Sequence, residues 1–311
     1  NSAGYQLKEN FTRTVKFSSQ KPDVELIGDG VILPGTDGLI FPFKAVNLNA
    51  VNVKVVKIFE DNVAQFLQTN QLDGQYQLKR VGRLVYKNEV QLETLGTVDF
   101  GTWNTFALDL SNLISVSPGS IYRVSLSFEQ KHSLYPCEES ISSEDEIGFQ
   151  LEDPEMAAYD QPDGDYYYYD DYDYYYYDDG YNWNERENPC KPSYYMRNQH
   201  VVTRNVLASD LGIVAKSGKN KELFIAVTDL KTTESLKGVS LEVLNYQSQV
   251  IGTSITDENG MATITTENKP FLLVARQGTQ TGYLRLDDGS SLSLSMFDVN
   301  GSEVKQGLKG F

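Results

Sequence analysis

Few side chains in this sequence are of types that could do covalent or metal chemistry together: two cysteines, Cys137 and Cys190, and two histidines, His132 and His200, in 311 residues. The cysteines bracket a dense run of carboxylates and tyrosines, so pairing them would close that run off as a loop. In the chain-entropy account, a disulfide closing roughly 50 residues stabilises by about 4 kcal/mol, less any strain in the folded state. A structural disulfide between Cys137 and Cys190 is therefore expected. It implies an oxidising, extracytoplasmic compartment, because cytosolic thiols are kept reduced. Two other readings stand beside it: unrelated thiols, or a zinc site in which the two thiolates are completed by His132 and His200.

Between Glu138 and Glu187 lie 18 acidic residues against one basic residue, Arg186, while the rest of the chain is close to neutral; the formal charge of −16 is thus local. Of the 20 tyrosines, 11 fall between Tyr159 and Tyr181. Three readings of this segment are open. Carboxylates such as those of Asp163-Gly164-Asp165 would suit calcium, which takes roughly six to eight oxygens, although the spacing of a calcium-binding loop is missing. Exposed tyrosines supply rigid amphipathic contact area, which makes Tyr166, Tyr169, Tyr172, Tyr174 and Tyr177 candidates for contact with a glycan or protein partner. The plainest reading is a solvated excursion held open by its own charge. None of these names a ligand set, and no metal or cofactor is expected.

Catalytic patterns are missing. A nucleophilic triad needs a base placed against Ser or Cys, and neither histidine has a companion motif; His132 beside Ser133 reads as a chance neighbour on the surface. Gly28-Asp29-Gly30 lacks the following spacing of a phosphate-binding loop and reads as a turn before a strand. No basic stripe exists to attract nucleic acid. No stretch approaches the roughly 18 to 20 apolar residues of a membrane span. The chain is read as a non-enzyme. It starts at Asn1 without a basic or apolar leader, so any signal sequence would lie upstream.

The elements around these residues read as strands. Seven short runs of alternating apolar and polar residues follow residue 207: Leu211 to Lys216, Glu222 to Asp229, Val239 to Tyr246, Val250 to Thr256, Met261 to Thr266, Phe271 to Arg276 and Gly282 to Leu286. This is the strand count of an immunoglobulin-like sandwich. Leu223, Ile225 and Val227 alternate with Phe224, Ala226 and Thr228, so one face is core and the other wet. Asp257-Glu258-Asn259-Gly260 reads as a hairpin turn between neighbouring strands. Upstream, Val24 to Ile27, Leu39 to Val46, Val51 to Phe59, Gly82 to Val90, Asn104 to Leu110 and Ile121 to Phe128 predict a second sandwich, with Tyr194, Val201, Val202 and Val206 supplying a closing strand. Asp61 to Thr69 predicts one helix, capped by Asp61 and crossing between sheets, with Val63, Phe66 and Leu67 at helical spacing.

Four motifs in the C-terminal stretch, in this order and spacing, resemble the third macroglobulin-type module of bacterial alpha-2-macroglobulins: Leu207-Ala208-Ser209-Asp210-Leu211-Gly212, Thr256-Asp257-Glu258-Asn259-Gly260-Met261-Ala262, Pro270-Phe271-Leu272-Leu273-Val274-Ala275-Arg276 and Phe297-Asp298-Val299. Upstream, Leu39 to Val51 followed by Gln65-Phe66-Leu67 is similar to the preceding module, particularly in Bacteroides-type proteins. The resemblance implies an all-β chain of two consecutive immunoglobulin-like β-sandwich domains. Residues 1–20 would end a preceding module or linker. Residues 21–206 would form the first sandwich, with the acidic insertion at about 131–199, and residues 207–303 the second; residues 304–311 would begin a further module.

It also implies a periplasmic or envelope-anchored protein that traps proteases, closing when a bait region is cut. Its partners would be the neighbouring modules and the target proteases. The family's bait region and Cys-Gly-Glu-Gln thioester would lie downstream; Cys137-Glu138-Glu139-Ser140 lacks the Gln that a thioester needs. The chain is accordingly read as a piece from the N-terminal half of such a protein. The acidic tyrosine insertion departs from the commoner enterobacterial pattern, so the family assigns it no role.

Overall fold

The computed structural model describes residues 19–28, 30, 32–33, 39–96, 99–137, 181–196, 200–218 and 221–286. These form two consecutive β-sandwiches. The first pairs a three-stranded sheet, ordered β1-β3-β6, with a five-stranded sheet, ordered β2-β8-β7-β4-β5. Its strands are β1 (Asp23–Leu26), β2 (Ile32–Leu33), β3 (Ile40–Val46), β4 (Ala50–Ile58), β5 (Gly82–Gln91), β6 (Asn104–Asp109), β7 (Ile121–Ser127) and β8 (Val202–Ala208). All pairings are antiparallel except β2 with β8. The two-residue strand β2 carries too short a pattern to be read from sequence.

Strand alternation builds the first core. Phe41 and Phe43 of β3 and Phe106 and Leu108 of β6 face Val51, Val53 and Val55 of β4 and Tyr122, Val124 and Leu126 of β7. Phe43 and Phe106 stack at 5.5 Å between ring centroids. Each such buried side chain contributes about 1.5–3 kcal/mol relative to leaving it exposed.

The second sandwich has the seven strands expected, in sheets ordered β13-β10-β9 and β12-β11-β14-β15. They are β9 (Leu211–Ser217), β10 (Glu222–Asp229), β11 (Ser240–Leu244), β12 (Val250–Ile255), β13 (Met261–Thr265), β14 (Leu272–Gln277) and β15 (Gln280–Arg285). Leu223, Ile225 and Val227 point into the core while Phe224 is exposed, as the alternation requires.

Three local readings are corrected. The 257–260 turn is no hairpin: β12 pairs with β11 and β13 with β10, so the turn carries the chain from one sheet to the other. The Asp257 carboxylate accepts from the amides of Asn259 and Met261, and Gly260 adopts φ +71°. Turn chemistry encodes the reversal but not which sheet receives the next strand. The helix α1 (Val63–Thr69) is preceded by a 3₁₀ turn over Glu60–Asn62, so Asn62, not Asp61, is its N-cap residue. The Asn62 side chain donates to the Val81 carbonyl, 3.1 Å away. Nor does α1 cross between sheets. It joins β4 to β5, which pair directly.

Candidate functional site

The insertion leaves β7 and returns to β8, antiparallel neighbours whose register runs from Ile121↔Leu207 to Leu126↔Val202. Cys137 and Cys190 are joined by a disulfide with Cα atoms 5.6 Å apart, forming a collar at its base. With both sulfurs so bonded, the zinc reading loses its thiolate ligands. Among the described residues no three His, Cys, Asp or Glu side chains converge to hold a metal. The calcium candidates Asp163 and Asp165, and Tyr166, Tyr169, Tyr172, Tyr174 and Tyr177, lie outside the described residues.

Each arm of the collar is anchored to the first sandwich. On the returning arm, the short helix α2 (Pro192–Tyr195) buries two tyrosines. Tyr194 donates its hydroxyl to the Pro22 carbonyl at 2.8 Å and Tyr195 to the Pro189 carbonyl at 2.6 Å. Burial pushes the Tyr195 hydroxyl up to about 12, so it remains a donor at ordinary pH. Both rings, with Phe128 and His200, form one aromatic cluster with centroids 4.5–5.9 Å apart. His200 is buried, with Nδ1 3.3 Å from the Asp23 carboxylate.

The departing arm carries a correction. His132 is not on the surface: it is 2% exposed. It ends a 3₁₀ turn over Gln130–His132, where its Nδ1 accepts the Glu129 amide at 3.1 Å. Its Nε2 lies 2.8 Å from the Glu89 carboxylate on β5, which assigns the proton to Nε2. Burial holds the imidazole below its ordinary value, against the hydrogen bond and charge of Glu89, which favour the protonated ring. Burial alone would raise the Glu89 carboxyl, but hydrogen bonds and charge from His132 and Lys131 bring it below its usual value. Ser133 Oγ accepts from the Tyr135 amide.

The second feature is the seam between the sandwiches. Phe66 and Leu67 of α1, with Ile58 and Ile121, pack against Phe271, Leu272, Val274 and Tyr283 in one continuous apolar cluster. Strand β14 is therefore buried on both faces: Leu273 and Ala275 enter its own sandwich while Leu272 and Val274 face the seam. Polar bonds cross it as well. Tyr283 donates its hydroxyl towards Gly119 O at 3.1 Å and Glu60 O at 3.4 Å, Arg285 Nη1 donates to Asn70 O at 2.9 Å, and Gln68 Nε2 donates to Tyr246 O at 2.5 Å. Asn70 shapes the loop beyond α1: its Nδ2 donates to Tyr76 O and its Oδ1 accepts the Tyr76 amide. Only Ser209 and Asp210 separate β8 from β9.

Residues 208–304 match the family described as the bacterial alpha-2-macroglobulin MG3 domain. In this module the chain resembles a bacterial alpha-2-macroglobulin. The motifs from Ser209-Asp210 to Phe297-Asp298-Val299 lie inside the matched span. No curated protein matches the chain.

A solved structure extends the likeness at the level of fold. The native conformation of E. coli alpha-2-macroglobulin is 17% identical with a TM-score of 0.50, covering 90% of this chain and 14% of that one. A crystal structure of the E. coli protein spanning domains NIE-MG1 is 17% identical at TM-score 0.48, covering 86% of this chain and 97% of that one. A Salmonella alpha-2-macroglobulin mutant is 18% identical at 0.44, covering 93% of this chain and 13% of that one. The chain thus spans about a seventh of the length of the larger alpha-2-macroglobulin chains it matches.

The seam was missed at the sequence level, although Phe271-Leu272-Leu273-Val274-Ala275 signals it: an uninterrupted apolar strand is one covered on both faces.

Proposed function

We propose that this chain is a pair of scaffold modules in a bacterial alpha-2-macroglobulin-like, protease-trapping protein, with endopeptidase inhibition residing in the full-length molecule. We place the modules at residues 21–206 and 207–303, with Leu207 and Ala208, the last two residues of β8, still paired in the first sandwich's sheet. The match of residues 208–304 to the MG3 domain is the observation that carries this reading. The seam supports it, since a scaffold must fix its modules relative to one another. The disulfide supports an extracytoplasmic setting, periplasmic or anchored at the envelope. Within this reading the chain is not an enzyme, and its partners are the neighbouring modules and, through the whole protein, target proteases.

The test uses the longer protein and the chain side by side. Incubated with trypsin, the longer protein should retain the protease and lose that capacity when the seam is broken by Tyr283→Ala; the chain alone should neither retain protease nor turn over hydrolase substrates. Turnover by the chain that disappears with a single side-chain substitution would overturn the reading. So would a longer protein that never retains protease.

A further inference from the structure

The departing arm of the collar rests on a histidine that must be in one protonation state. Neutral His132, with its proton on Nε2, satisfies two partners at once: Nδ1 accepts the Glu129 amide and Nε2 donates to Glu89. That ring holds a turn whose backbone is in turn paired with the β3–β4 loop. Asn49 N donates to His132 O at 2.9 Å, Leu134 N donates to Asn47 O at 2.9 Å, and Leu48 and Ser133 form a bridge.

We propose that the 129–135 segment is an acid-operated latch: protonating His132 releases the arm leading to Cys137 from the β3–β4 loop, while the disulfide keeps the ends of the insertion joined. A second proton can go only to Nδ1. There it turns the acceptor of the Glu129 amide into a donor, so two N–H groups face each other inside the protein and the turn loses one of the two side-chain bonds of its capping box, leaving the His132 amide to the Glu129 carbonyl at 3.1 Å to hold it.

The groups facing the ring decide where this happens. Glu89 from β5 and Glu129 from the turn itself favour the imidazolium, whereas burial and Lys131 oppose it, and burial is the largest effect. Lys131 lies 3.2 Å from Glu89 and 3.7 Å from Glu129, which offsets part of the negative charge that they present to the ring. From β4, Asn52 donates to Glu129 Oε1 at 2.8 Å and carries no charge. The ring is therefore neutral at neutral pH, and the latch opens as pH falls below the ordinary histidine value of about 6.5. This inference does not depend on the scaffold reading.

Amide hydrogen exchange on the whole chain, corrected for the intrinsic pH dependence, reads it directly. Between about pH 7.5 and about pH 5, protection of the Glu129, Asn49 and Leu134 amides should fall by up to about tenfold per pH unit once His132 titrates, as one linked proton requires. Amides of β9 to β15 should hold. In His132→Asn the side-chain oxygen replaces Nδ1 as acceptor and cannot titrate, so protection should be independent of pH. Glu89→Gln removes a charge that favours the imidazolium and should move the wild-type midpoint to lower pH, a shift that a merely structural role would not produce. Constant wild-type protection over this range would overturn the proposal, as would a parallel loss in His132→Asn. Should that variant not fold, ¹⁵N shifts of the wild-type ring still decide: a neutral His132 with its proton on Nδ1 overturns the latch, and one with its proton on Nε2 upholds its closed state.

Discussion

Tyr283 on β15 donates its hydroxyl to the carbonyl of Gly119, 164 positions earlier in the chain and in the other sandwich. Gly119 adopts φ +81°, and a Cβ built there would lie 2.8 Å from Thr281 Cβ. The first sandwich thus presents a bare backbone corner, and the second fills it with a ring and a hydroxyl. Burial raises the Tyr283 hydroxyl well above the usual tyrosine value, so it donates throughout the ordinary pH range.

Removing that wedge should uncouple the modules. Tyr283→Phe is expected to cost about 1 kcal/mol for the lost hydrogen bond, and Tyr283→Ala about 3–5 kcal/mol for the cavity. Both tryptophans, Trp103 and Trp183, precede β9, so fluorescence follows the first part of the chain while circular dichroism follows both sandwiches. Urea unfolding should give coincident transitions in the wild type and separated ones in Tyr283→Ala.

Gly119 and Gly278 separate strain from collision. Both have positive φ, but nothing lies within 4 Å of a Cβ built on Gly278. Gly278→Ala should cost only the left-handed backbone penalty, about 1–2 kcal/mol, whereas Gly119→Ala adds overpacking of about 1–3 kcal/mol. Equal melting shifts for the two variants would contradict the contact at Thr281.

Replacing both Cys137 and Cys190 with serine should lower the stability of the first sandwich by about 4 kcal/mol through the freed loop of 53 residues. Denaturation followed by tryptophan fluorescence measures this loss.

Glu89 sets the stability of the departing arm in acid. Its folded value is depressed, so its contribution is present above the unfolded value of about 4.5 and is lost as pH falls through the folded one. Glu89→Gln should be less stable than wild type near pH 7 and should show a smaller further loss below about pH 4.5. Melting temperatures across that range check both.

Deleting residues 139–187 leaves Glu138, Asn188 and Pro189 between the bonded cysteines, enough to span 5.6 Å between their Cα atoms. The shortened chain should keep the second sandwich's thermal transition. If it loses binding to glycans or envelope proteins that the full chain shows, the contact surface lies within residues 139–187.

Period-two alternation made the strands legible because each sheet has one inward face, and Leu223, Ile225 and Val227 register it directly. The disulfide was legible because only two cysteines exist. The hairpin reading at 257–260 failed because a local turn signal is the same whether the chain returns to its own sheet or to the opposite one. His132 was misplaced because burial of a polar ring depends on partners 43 residues away on β5, which no spacing announces. The amphipathic pattern of α1 showed that Phe66 and Leu67 are buried, but not that part of their cover comes from a different module.

The linker of Ser209 and Asp210 has a mechanical consequence. Two extended residues reach only about 7 Å, and here Asp210 N donates to Gln280 Oε1 on β15 while Ser209 Oγ accepts the Leu211 amide. Tension on the chain would find no slack at this joint. It would pass straight from the last strand of one sandwich to the first of the next, and yielding would begin with sheet hydrogen bonds breaking rather than with a tether unwinding.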